Sequence, residues 1–328
     1  MIKINSDLYV LKIILINLTL LILFICIISC NNKKDYGDYF SDGLKHKDYT
    51  NNKFLILQHT CSTCGLFSFF KVSLGCINKY LSEGFIPIVD IKSYPNVVNG
   101  FNTIKSNYWE LFFEQPWGYT LDEVLKNAKY LETLNYTWEK CKNWPDPKSM
   151  PFEEVKRYYW HNIARKYVPI KKNLLDLTNK LMNKLFKNSK NILGVLARGT
   201  DYISMKPKNH PVQPNISDII NDTKIMDDKY DYDYIFFSSE DEIYRNKFSK
   251  SFPNKIKQIN SKIVVNYNYS RRKYLGYNDN VKGNIEYNKI IILSKCLDII
   301  TVRCNGSAGI FILSKGFRNA KIYNLGIY

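Results

Sequence analysis

Ile192-Leu193-Gly194-Val195-Leu196-Ala197-Arg198-Gly199-Thr200-Asp201 is the stretch whose reading decides the fold. Six apolar residues run without a break, too few for a helix, and stop at an arginine, a glycine and two polar residues. That pattern reads as a short buried strand, Ile192 to Ala197, delivering a polar turn to the edge of a sheet. Downstream the same alternation repeats. A helix near Ile216 to Met226 leads to a strand at Tyr234 to Ser238. A helix from Glu240 to Phe248 precedes a strand at Ile263 to Val265, and a helix from Ile285 to Cys296 precedes a strand at Ile299 to Val302. A helix from Ala308 and a last strand at Lys321 to Leu325 close the series. Strands separated by helices predict a doubly wound α/β sheet, in which ligands sit at the carboxyl ends of the strands.

Upstream, Phe54 to Leu57 predicts a buried strand, followed by a loop through Gly65, an apolar helix from Leu66 to Leu81 and a second strand from Phe85 to Asp90. Strand, helix and strand in this order make a parallel α/β unit. From Asn107 to about Lys187 the pattern is mostly helical, interrupted by Pro116, Pro145, Pro147, Pro151 and Pro169. All five tryptophans fall there, and core and interdomain packing is the reading preferred for them.

The 328 residues are 45% hydrophobic, enough to bury a sizeable core, so disorder is not the default. Lys and Arg outnumber Asp and Glu 47 to 30, a formal charge of +17 that favours anionic partners. No helix-turn-helix, zinc-finger or RNA-binding signature accompanies it, so no nucleic-acid partner is expected. The eight cysteines are irregularly spaced and do not read as a disulfide scaffold, and Cys61 and Cys64 read as ordinary loop thiols. His46, His59, His161 and His210 lack metal-ligand spacing, and no metal is expected.

The N-terminus reads as an address. From Ile13 to Cys30 there is no charge, and with Leu8 to Leu11 the segment is long enough to span a bilayer. It is either a single-pass signal-anchor or a signal peptide. In the second reading Ile27-Ile28-Ser29-Cys30 resembles a lipobox with Cys30 lipidated. Either way the chain is expected at a membrane. The organisation predicted is 1–30 membrane segment, 31–52 tether, 53–188 an N-terminal α/β domain with a helical insertion, and 189–328 a Rossmann-like domain.

Three strand-to-helix junctions carry chemistry. Arg198 ends a strand where its rigid guanidinium can grip a pyrophosphate and neutralise charge on a departing nucleoside diphosphate. Gly199 lets backbone approach a ligand, and Thr200 and Asp201 add polar groups. Ser238-Ser239-Glu240-Asp241 follows the next strand and supplies helix-capping groups or a carboxylate for a base or ribose. Cys304-Asn305-Gly306-Ser307-Ala308-Gly309 places small residues at a helix N-terminus, a natural phosphate seat.

In this order the segments resemble the fucosyltransferase superfamily of α-1,6-, nodulation and protein O-fucosyltransferases. Its first motif, roughly His-x-Arg-x-Thr-Asp with a later His-Pro, matches Arg198, Thr200, Asp201, His210 and Pro211, with Leu196 in place of the first histidine. The second matches Ser238 to Asp241, and the third Leu293-Ser294-Lys295-Cys296 through Ser307. The chain also looks like an uncharacterised group of bacterial and viral polysaccharide-type transferases, through Trp109 to Pro116 and Gly194 to Gln213. The resemblance implies a GT-B-like fold of two facing Rossmann-like domains. It also implies an inverting, metal-independent reaction with GDP-fucose as donor, a glycan or other hydroxyl acceptor, and no cofactor. Arg198 and Asp201 become the catalytic candidates. Arg198, Gly199, Thr200, His210, Ser239, Asp241, Asn305, Gly306, Ser307 and, across the cleft, Gly65 become donor-binding candidates. No carboxylate lies between Tyr202 and Asn209, which leaves Glu114 and Asp90 as candidates for the base.

Three rivals are open: a transferase of this fold taking another nucleotide sugar, a surface glycan-binding lipoprotein without turnover, permitted by Cys30 and the tryptophans, and a degenerate, inactive transferase domain. Asp231-Tyr232-Asp233 has metal-binding D-x-D spacing but precedes its strand, and reads as a solvated acidic turn.

Overall fold

The computed structural model describes residues 47–59, 65–91, 107–136, 141, 143–199, 201–204, 206–259 and 279–328. The N-terminal address, Cys61, Cys64, Trp138, Thr200 and the strand expected at Ile263 to Val265 lie outside them. No helix among the described residues is long and apolar enough to cross a membrane.

Two parallel sheets organise the described residues. In the first, β1 (Lys53–His59) lies between β2 (Phe85–Asp90) and β3 (Tyr130–Tyr136), with Leu55 opposite Pro87 on one side and Glu132 on the other. β3 corrects the sequence reading, which made this region helical. Its Leu-Glu-Thr-Leu run suits either state, and pairing with β1 on one edge decides it while most of its side chains stay exposed.

Between these strands α1 (Leu66–Ser82) is buried along its whole stretch from Phe67 to Ile77, Ser68, Lys71 and Ser73 included, as befits a helix packed between layers. α2 (Leu121–Asn127) starts at a capping box: Thr120 Oγ1 accepts from Glu123 N at 3.2 Å while Thr120 N donates to Glu123 Oε2 at 3.1 Å. α3 (Glu154–Tyr167) and α4 (Lys172–Phe186) complete the middle of the chain.

The second sheet has the order β6-β5-β4-β7-β8. Its strands are β4 (Ile192–Ala197), β5 (Tyr234–Ser239), β6 (Ile256–Lys257), β7 (Asp298–Val302) and β8 (Ala320–Tyr323), all parallel. α5 (Asp201–Ser204) and α6 (Ile216–Tyr230) link β4 to β5, and α7 (Glu242–Ser251) follows β5. α8 (Asp279–Ser294) and α9 (Asn305–Leu313) flank β7. β4 is the first strand laid down and the central one, with every residue buried. The chain builds outward from it through β5 and β6, then returns to its other side with β7, so the winding reverses between β4 and β7.

The first sheet falls within residues 53–188 and the second within 189–328, and all these elements belong to one compact unit, Asp48–Tyr328. Their helices share a core. Tyr287 of α8 packs its ring 5.9 Å from Phe67, 5.0 Å from Phe112 and 5.3 Å from Phe113. Trp109 and Trp160 are fully buried, in line with packing, whereas Trp117 is partly exposed and edge-on to Tyr167 at 5.5 Å.

The cysteines hold a second correction. Cys76 on α1 and Cys141 form a disulfide with their Cα atoms 5.3 Å apart. Their sequence separation of 65 hides the pairing from any local spacing rule, since the fold alone brings residue 141 back onto α1.

Candidate nucleotide site

The reversal of winding puts the junctions after β4 and β7 side by side. Val195 pairs with Ile300, so in continued register Ala197 stands level with Val302, and Arg198 with Arg303. On the other flank Ala197 pairs with Ser239, which sets Arg198 beside Glu240. Three parallel strands therefore deliver their polar turns to one edge.

Arg198 donates through Nη1 to Glu240 Oε1 at 2.6 Å, and its guanidinium carbon lies 5.2 Å from the centre of the Tyr202 ring. Tyr202 in turn meets His210 edge-on at 5.3 Å. Gly199 adopts φ +60°, a conformation only glycine enters freely, and a methyl group there would sit 2.8 Å from Asp241 Cβ. Asp241 is buried and caps α7, its Oδ1 accepting from Tyr244 N at 3.1 Å, while Asp241 N donates to Ser239 Oγ at 3.1 Å. Arg198, Gly199, His210, Ser239 and Asp241 are thus brought together. Asp201 opens α5 directly after them.

After β7, Cys304 rather than Ser307 caps α9: its sulfur accepts from Ser307 N. Ser307 is fully buried and points inward, donating to Val302 O at 2.5 Å and lying 2.8 Å from Thr301 Oγ1. Asn305 and Gly306 head the helix. Asn305 Nδ2 donates to Ser68 Oγ at 3.2 Å, which joins the N-terminus of α9 to that of α1, where Gly65 stands exposed as the N-cap. Gly309 makes the crossing close, since a methyl group there would lie 2.3 Å from Phe67 Cδ1. Two positive helix ends thereby meet beside the Arg198 edge.

The candidate bases lie outside the second sheet. Asp90 is buried at the carboxyl end of β2, accepting from Gln58 Nε2 at 3.2 Å, and Glu114 pairs with Lys171 Nζ at 2.8 Å. Asp231 and Asp233 of the D-x-D segment bind Lys255 and Ser189, a structural turn before β5. Among the described residues no cluster of three or more His, Cys, Asp or Glu side chains could hold a metal ion.

Sequence reasoning missed Arg303. Its Nε donates to Met150 O at 2.8 Å, its Nη2 reaches the same carbonyl, and its Nη1 donates to Asn324 Oδ1 at 2.5 Å. It thus ties two distant loops to the end of β7. The signal was available, because Val302-Arg303 repeats the strand-then-arginine pattern of Ala197-Arg198.

No family model matches the chain, and no curated protein does. Solved structures do resemble it. POFUT1 in complex with GDP aligns at 10% identity with a TM-score of 0.48, over 85% of this chain and 99% of that one. NodZ alpha-1,6-fucosyltransferase soaked with GDP-fucose aligns at 13% and 0.45, over 80% and 93%. The fucosyltransferase NodZ from Bradyrhizobium aligns at 13% and 0.47, over 80% and 94%.

Proposed function

We propose that this chain is a glycosyltransferase that moves fucose from GDP-fucose to a hydroxyl of a glycan or other acceptor, with inversion and without a metal ion. The observation that carries the reading is the position of Arg198. It stands at the carboxyl end of the central strand, beside the reversal of winding, with the N-termini of α9 and α1 joined nearby. When the bond to the sugar breaks, negative charge grows on the departing diphosphate. A guanidinium held at that point stabilises it with paired hydrogen bonds, and helix-terminal amides at Asn305 and Gly306 add to the field. Fucose as the sugar rests on the sequence resemblance through Arg198, Thr200, Asp201, His210 and Pro211.

In this reading Gly199 admits the diphosphate, and Asp241 and Ser239 border the base and ribose. Ser307 acts from below by holding the α9 turn in shape. The acceptor hydroxyl loses its proton to a carboxylate, with Asp90 and Glu114 the candidates. The N-terminal segment tethers the enzyme to a membrane, and the Cys76–Cys141 bridge supports an oxidising compartment for the folded part.

Calorimetric titration of the full chain in detergent, with chelator present, against GDP, GDP-fucose and UDP-sugars tests the proposal. Micromolar GDP binding that is lost in Arg198→Ala is expected. A folded protein that binds none of these nucleotides would refute it and favour the glycan-binding reading.

A further inference from the structure

We propose that Glu240 is a built-in competitor for Arg198, a carboxylate that the ligand's phosphate must displace and that thereby limits how tightly nucleoside diphosphate is held. The inference rests on the proposed role of Arg198 as a phosphate ligand.

The Ser239-Glu240-Asp241 turn divides its tasks. Asp241 caps α7 through Tyr244 N, and Ser239 Oγ accepts from Asp241 N. Glu240 sends its side chain back across the strands, accepting from Arg198 Nη1 at 2.6 Å. The contact follows from the parallel register, which sets Ala197 opposite Ser239 and so makes the next residues neighbours.

Accessibility suits the pair to exchange. The two side chains are 28% and 34% exposed, so an incoming phosphate can reach the guanidinium, and solvent weakens the attraction that must be broken. A fully buried pair would be too costly to open. The Tyr202 ring against the guanidinium keeps the arginine in place while its partner changes. Phosphate offers the same hydrogen-bond geometry as a carboxylate with more charge, so it wins the exchange, at an affinity lowered by the worth of the lost pair. For a product that must leave after each turnover, such a cap on affinity is useful.

The test is calorimetry of the full chain in detergent with GDP and with inorganic pyrophosphate, for wild type, Glu240→Gln, Arg198→Ala and the double variant, each checked for an unchanged melting profile. Glu240→Gln, isosteric but uncharged, is expected to bind both probes about two- to fivefold tighter, the range for one partly exposed ion pair. That gain is expected to vanish in the Arg198→Ala background. Equal or weaker binding by Glu240→Gln overturns the inference and makes Glu240 an orienting partner of Arg198. A gain that persists without Arg198 overturns it too, since Glu240 would then act by bulk charge alone. Absence of wild-type binding to either probe refutes the reading of Arg198 itself, a distinct outcome.

Discussion

Replacing both members of the Cys76–Cys141 bridge by alanine removes a cross-link across 65 residues of chain. In the loop-entropy relation, that separation corresponds to about 15 cal/mol/K of denatured-state entropy, or ~4 kcal/mol at 25 °C. Both cysteines are buried, at 0% and 2% exposure, so truncating them leaves small voids that add about 1 kcal/mol. The expected loss, about 5 kcal/mol, is a large share of the 5–15 kcal/mol that holds a typical domain together. Urea unfolding of the oxidised wild type, both single variants and the double variant measures it. Because the first substitution already breaks the loop, the three variants should agree within about 1 kcal/mol instead of adding. A double variant within about 1 kcal/mol of wild type would refute the reasoning. So would a thiol titration, after unfolding without reductant, in which Cys76 and Cys141 both react.

Asp298 is buried at the start of β7, accepting from the Tyr232 hydroxyl, from Arg318 Nη2 at 2.5 Å and from Asn319 N at 2.7 Å. Asp298→Ala orphans a buried hydroxyl and an amide, and should cost about 2–4 kcal/mol in urea unfolding. Burial alone would raise the Asp298 pKa, but these donors outweigh it and hold the carboxyl below its ordinary 3.8. Its stabilisation is therefore complete above that value and lost as pH falls through the lower folded one, so the wild-type excess over Asp298→Ala should shrink below about pH 4. Gly309→Ala drives a methyl group into Phe67 at the crossing of α1 and α9. It should cost about 1–3 kcal/mol and, by spreading the two helix ends, weaken GDP binding in the same calorimetric assay.

Much of the second sheet was legible from residue order. Ile192 to Ala197, Tyr234 to Ser238 and Ile299 to Val302 are apolar runs of strand length, and the observed strands match them to within a residue. Helix starts at Leu66 and Ile216 fall where they were read, but two others were less legible. Asp241 and Cys304 cap α7 and α9, so the first helix begins at Glu242, two residues later than read, and the second at Asn305, three residues earlier. Capping depends on which side chain turns back to an amide, a choice that hydrophobic periodicity does not carry. β3 escaped because its partner on β1 lies some 80 residues away, and its exposed alternation resembles a surface helix.

By itself, the residue order determined that Arg198 ends a buried strand and that polar turns follow two others, because a short apolar run and its terminating turn are local facts. Tertiary structure decided which of those turns become neighbours. The order β6-β5-β4-β7-β8 and its parallel register set Glu240 on one side of Arg198 and Arg303 on the other. The same folding brings Ser68 to Asn305 and Cys76 to Cys141. These contacts join residues tens to hundreds of positions apart. They form because helices with apolar faces must bury them against particular sheets, a constraint on the whole chain that no single stretch of it records.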